Sequence, residues 1–144
     1  MNITLPVAVS VIGAGLTAAA CVFASPASAD DLAGAYTLDI AGSDQGTWAL
    51  TPCDDSFVPC VHVAQTGGEA QPWNADAHLS VGYWTMFVDR PDAIGCKDGS
   101  VHPGQVSYSW DAVTLSGWTS SYNTGVCGDK AQTLSAPFTL IKVN

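Results

Sequence analysis

Beyond residue 30, apolar and polar side chains alternate in short runs, and each run stops near Gly, Pro, Asn or Asp. A period of two predicts strands, because successive side chains along a strand point to opposite faces. Leu32, Gly34, Tyr36, Leu38 and Ile40 share one face of a first strand, with residues 41–46 as its turn. Trp48 and Leu50 oppose Thr47, Ala49 and Thr51, and Val61 and Val63 oppose His62 and Ala64. A polar loop over residues 66–74 precedes Ala77, Leu79 and Val81, which face away from His78 and Ser80. Gly82 marks a tight bend, and residues 83–88 form an apolar strand with Trp84 and Met86 on one face. The longest loop is expected over residues 89–104, followed by Val106, Tyr108 and Trp110 alternating with serines and Asp111. A strand over 114–122, a cysteine-bearing loop over 123–132 and a closing strand over 134–143 complete the pattern.

No stretch of this region holds a helical period. About eight strands joined mostly by short connections predict an all-β fold: one small antiparallel domain of sandwich or barrel type. Each strand is followed closely by the next, as in a meander. A meander leaves two open edges, and pairing the first strand with the last removes both, so a barrel is preferred over a sandwich. Pro137 in the last strand lacks a ladder donor and is expected at a bulge or strand start.

The first 29 residues read differently. Residues 5–24 carry no charge and are small or apolar, and Ser25-Pro26-Ala27-Ser28-Ala29 then precedes Asp30-Asp31. Small residues at the third and first positions before Ala29–Asp30, beyond a helix-breaking proline, match a signal-peptidase site. Residues 1–29 are therefore expected to be a cleaved signal peptide and 30–144 a secreted β domain, extracellular or in the cell envelope. An uncleaved anchor and acylation at Cys21 are the alternatives; Gly13, Gly15 and Ala18-Ala19-Ala20 make a poor anchor, and Ala18 stands where a lipobox has leucine. Removing 29 of the 144 residues leaves 115, the size of one domain with no membrane span.

Of the five cysteines, Cys21 leaves with the signal peptide, and four in an oxidising compartment imply two disulfides. Cys53 and Cys60 flank six residues between two strand-like runs, where opposed Cα atoms lie at bridging distance, which leaves Cys96 for Cys127. A four-cysteine metal site would need C-x-x-C pairs that this sequence lacks.

A net charge of −9 argues against nucleic acid and anionic surfaces as partners. The acids are scattered, as on a solvated surface. There is no G-x-S-x-G, and no serine stands in a nucleophile-elbow context. Among His62, His78 and His102, the first two leave the polar face of neighbouring strands and could approach Asp76 or Asp111. Without H-x-x-x-H or H-x-H spacing, solvated histidines are the simpler reading, and no metal is assigned. Paired carboxylates for glycoside hydrolysis are not evident: Asp54 and Asp55 diverge, Glu69 lies in a loop, and Asp89, Asp92 and Asp98 read as turn chemistry. No catalytic residue and no cofactor are assigned.

The aromatic residues carry more. All five tryptophans follow residue 30. Trp48, Trp84 and Trp110 keep the phase of the core. Trp73 falls in a polar loop, while Trp118 and Tyr122 fall off the phase set by Leu115. These three are the candidate ligand-binding residues, expected on an exposed surface.

Trp48-Ala49-Leu50-Thr51-Pro52-Cys53 closed by Cys60, then Trp84-Thr85-Met86, Cys96-Lys97-Asp98-Gly99-Ser100, Trp110-Asp111 and Cys127-Gly128, form a recognisable series. With Gly34-Ala35-Tyr36 it resembles the small exported β proteins of actinobacteria, of the mycobacterial type, which have no established function. The resemblance covers most of residues 30–144 and implies export and a disulfide-braced β fold, but no reaction or ligand. Gly34-x-Tyr36 is also similar to the opening strand of lipocalin-like and avidin-like barrels.

The function expected from these observations is that of an exported, non-enzymatic β module that contacts a small apolar ligand or an envelope lipid or glycan. An extracytoplasmic hydrolase with a loop-built site and a purely structural envelope protein are the alternatives.

Overall fold

A computed structural model of the protein describes residues 28–144 other than 55, 69 and 70. The proposed signal segment up to Ala27, with its anchor and Cys21-acylation alternatives, lies outside the described residues, as do Asp55 and Glu69.

A four-residue helix, α1 (Ala29–Leu32), precedes eight strands: β1 (Gly34–Ile40), β2 (Ser43–Pro52), β3 (Cys60–Gly67) and β4 (Asn74–Ser80), then β5 (Tyr83–Gly95), β6 (Val101–Asp111), β7 (Ser116–Asn123) and β8 (Gln132–Lys142). Each pairs antiparallel with the next, and β1 pairs with β8 from Tyr36–Lys142 to Ile40–Phe138, so the meander closes into a barrel. Both edges are thereby removed.

The alternation seen in the sequence sorts inside from outside. Tyr36, Leu38, Trp48, Leu50, Val61, Val63, Trp84, Met86, Tyr108, Trp110, Phe138 and Leu140 are all buried. Trp48 is the hub, edge-on to Tyr108 at 5.1 Å between ring centroids and tilted against Trp110 and Phe138 at 6.1 Å. An eight-strand barrel has an interior just wide enough for side chains or one small ligand. Large aromatic rings at the inward positions fill this one.

The disulfides are Cys53–Cys60 and Cys96–Cys127. The first closes the β2–β3 connection, and the second ties the β5–β6 connection to the β7–β8 connection. Cross-links of this kind persist in oxidising compartments. No helix among the described residues is long and apolar enough to cross a membrane.

Five expectations need correction. Val81, expected to face inward with Ala77 and Leu79, is 95% exposed, because β4 ends at Ser80 and Val81 stands in the turn to β5. Residues 29–32 form a helical turn rather than the start of a strand. It is capped by Ser28, whose hydroxyl accepts from the Asp31 amide, and it buries Leu32. The first turn is two residues, not six, because Ile40 pairs directly with Ser43. Ala41 and Gly42 both take positive φ (52° and 83°), the geometry of a type I′ hairpin turn, whose twist matches the flanking strands. The expected long loop 89–104 is instead the far end of a β5–β6 hairpin: Ile94 pairs with His102 after a register shift that begins at Arg90. That irregularity absorbs Pro91, and Ile94 returns to the core. Pro137 lies within β8 rather than at its start. Its carbonyl accepts from the Ala41 amide, on the side where β1 has given way to its turn. A residue's N–H and C=O point to the same neighbour, so the donor that proline lacks faces that turn and no ladder bond is lost within β1.

Candidate functional site

Outward-facing residues of five strands form a band across the barrel wall. Asp39 on β1 pairs with Thr139 on β8, which pairs with Ser116 on β7. One step beyond the last β6–β7 pair, Trp110 with Gly117, stands Asp111, itself opposite Tyr83 on β5. The next outward band runs Pro137, Trp118, Ser109, Thr85. The first band, with Pro137, Trp118 and Ser109 of the second, lines a surface groove of about 580 Å³ in which Asp39, Tyr83, Asp111, Ser116 and Thr139 also take part.

The groove is built from shapes the sequence dictates locally. Gly117 lets β7 approach β6 closely: a Cβ there would lie 2.6 Å from the Trp110 Cα. Trp118 is raised on the outer face and 60% exposed, and Tyr83 is 51% exposed. Ser116 Oγ and Thr139 Oγ1 share a hydrogen bond of 3.2 Å, so a hydroxyl pair forms the middle of the floor.

Both carboxylates are fixed by backbone amides. Asp111 Oδ1 accepts from the Val113 and Thr114 amides at 2.9 and 2.7 Å. Those bonds, from Thr114 first and Val113 second, hold the Asp111 carboxyl below the usual carboxylate range. Asp39 Oδ1 accepts from the Gly42 amide at 2.9 Å. The other oxygen of Asp39 has no protein donor among the described residues, whereas the Thr114 hydroxyl adds to the amide donors on Asp111.

The three aromatic candidates are not brought together. Trp118 and Tyr122 share the outer face of β7, about 13 Å apart along the strand. Tyr122 lines a second groove of about 610 Å³ with Phe87, Gln105, Ser107, Ser120 and Val126. Trp73 departs from the expectation of an exposed surface. It is partly buried on the inner side, stacked on Tyr108 at 5.8 Å and edge-on to Trp48 at 5.4 Å. The reason is the chain's path: the connection before β4 folds across the barrel end, and the Trp73 carbonyl accepts from the Gln65 amide.

His62 and His78 do leave the outer face. His62 Nδ1 lies 2.7 Å from Asp76 Oδ1 across β3–β4, both side chains being about half exposed. Among the described residues the three ligand-type side chains whose atoms all lie within 4.8 Å are Cys53, Cys60 and Asp76. Two of these are disulfide sulfurs, which offer no thiolate. Asp111, paired in the sequence reading with the histidines, belongs to the groove instead.

No family model matches the chain, and no curated protein or solved structure is significantly similar to it.

Proposed function

We propose that the protein is an exported, non-enzymatic binding module that holds a glycan of the cell envelope against the outer wall of its barrel. The observation that carries this reading is the groove composition: an exposed indole beside hydroxyls and two carboxylates anchored by backbone amides. A sugar ring offers an apolar C–H face and a rim of hydroxyl donors. The indole suits the face, and the carboxylate and hydroxyl oxygens suit the rim. An acyl chain inside the barrel is the poorer fit, since Trp48, Trp84, Trp110 and Tyr36 occupy that volume.

Binding is favoured over hydrolysis by spacing. Asp39 and Asp111 stand three strands apart, about 14 Å along the wall at the usual strand separation. Glycosidase carboxylates lie within about 9.5 Å of each other even in inverting enzymes.

The test is a titration with short neutral and amino oligosaccharides followed by tryptophan emission. Trp118 is the exposed one of the five indoles, so saturable quenching or shift in the protein, lost in Trp118→Ala with melting unchanged, is the expected result. A wild-type protein that responds to no glycan in the set overturns the reading.

A further inference from the structure

We infer that the groove selects glycans carrying free amino groups, a statement that rests on the glycan reading and narrows it. Two carboxylates flank the groove and no Lys, Arg or His lines it. The four bases of the chain are elsewhere: Arg90 is paired with Asp92, Lys142 lies over the Tyr36 ring, and Lys97 and Lys130 are in the connections after β5 and β7. The groove therefore faces its ligand with uncompensated negative charge, in a protein of net charge −9.

Such a site penalises anionic sugars by repulsion and gains nothing special from neutral ones. A protonated amine changes this. An ammonium group can donate to the free oxygen of Asp39, or to a remaining lone pair of the Asp111 carboxylate, in a charge-assisted hydrogen bond. It can also sit over the face of Trp118, two residues from Ser116 in the floor, or of Tyr83 beside Asp111. Because Asp111 is already held ionised by its amide donors, it remains an acceptor in mildly acidic surroundings where sugar amines are fully charged. The wide separation of the two carboxylates matches an oligomer bearing an amine on more than one ring better than a single small amine.

The experiment compares glucosamine oligomers, N-acetylglucosamine oligomers and cello-oligosaccharides of equal length by calorimetric titration at pH 5.5 in low and high salt. The amino oligomer is expected to bind about tenfold more tightly, the combined size of two surface ion pairs and one cation–π contact. The preference should shrink with salt and vanish as pH rises through the titration of the amine. Asp39→Asn and Asp111→Asn keep the amide-accepting oxygen and so the turns. Each should cut the preference severalfold, weakening the amino oligomer much more than the neutral ones, which also lose part of an acceptor for their hydroxyls. Asp98→Asn, on the exposed connection after β5, controls for the overall charge of the protein and should retain the full preference. Equal binding of amino and neutral oligomers, or an equal loss in Asp98→Asn, overturns the selectivity and leaves the glycan reading standing. Binding of none of the three overturns both.

Discussion

The indole of Trp73 lies nearly parallel to the phenol ring of Tyr108, at 20° and 5.8 Å, and so belongs to the barrel interior. It closes the end of the aromatic core that Trp48 begins. Trp73→Ala should therefore act on stability rather than on ligand response. Truncating a buried aromatic costs about 3–5 kcal/mol, and a partly buried one correspondingly less, about 2 kcal/mol. Chemical denaturation should show that loss, with the glycan response of Trp118 retained. Unchanged stability would mean that the ring is not packed as described.

Trp118 and Tyr122 should behave in the opposite way. Both are exposed on β7, and surface truncations away from special features usually change stability by less than about 0.5 kcal/mol. Trp118→Ala should abolish glycan binding. Tyr122→Ala, in the neighbouring groove, should spare short oligomers and remove only the extra affinity of longer ones that reach past Ser120. Affinity measured against chain length separates the two.

Arg90 and Asp92 make a two-point ion pair, Nε to Oδ1 and Nη2 to Oδ2, both at 3.0 Å, and Arg90 also donates to the Tyr108 hydroxyl. The Arg90 hydrogen bond holds the Asp92 carboxyl below its ordinary range. A carboxyl whose folded pKa is lowered contributes stability above its unfolded value, about 3.9, and loses it as pH falls through the folded value. Unfolding free energy should accordingly fall below about pH 4, and Asp92→Asn should flatten that part of the profile. At neutral pH the variant should be less stable by about 2 kcal/mol, the size of charge-assisted hydrogen bonds in a partly buried site.

The strand order and both disulfides were legible because period-two alternation and cysteine spacing are local signals. Trp48, Trp84 and Trp110 could be placed inside from phase alone, and Trp118 and Tyr122 outside for the same reason. The end of the β5–β6 hairpin was hidden by Pro91, Gly95, Pro103 and Gly104, which read as breakers while a register shift accommodates them. Trp73 was hidden because its neighbours are polar, and only the fold of the loop across the barrel end turns it inward. The groove itself was not readable: Asp39 stands 100 residues before Thr139, and only the register at which β1 closes on β8 sets it beside Thr139, Ser116 and Asp111.

The two cross-links should differ in worth. The Cys53–Cys60 pair spans 7 residues and Cys96–Cys127 spans 31. On the chain-entropy account these stabilise by roughly 2.5 and 3.7 kcal/mol. Cys96→Ser with Cys127→Ser should lower the denaturation midpoint more than Cys53→Ser with Cys60→Ser. The reverse order would assign the difference to native contacts around the first loop rather than to the denatured chain.

Val81 offers a test of the backbone itself. It occupies the first central position of the β4–β5 turn with φ of 49°, followed by Gly82 at 81°, and Ser80 pairs with Tyr83. That is a second type I′ turn, which asks for positive φ at both central residues. A β-branched side chain is poorly suited to the left-handed region, where an L-residue is disfavoured by about 1–2 kcal/mol. Val81 gains nothing in return from packing, being 95% exposed. Asparagine tolerates the conformation, so Val81→Asn should stabilise the protein by about 1 kcal/mol and raise its melting temperature by about 4 °C. Val81→Gly should gain less, because glycine adds freedom to the unfolded chain. Val113→Asn separates this from the mere removal of an exposed valine, since Val113 is 85% exposed without a positive φ and should show no such gain. Equal melting temperatures for wild type and Val81→Asn would show that the turn carries no strain at this residue.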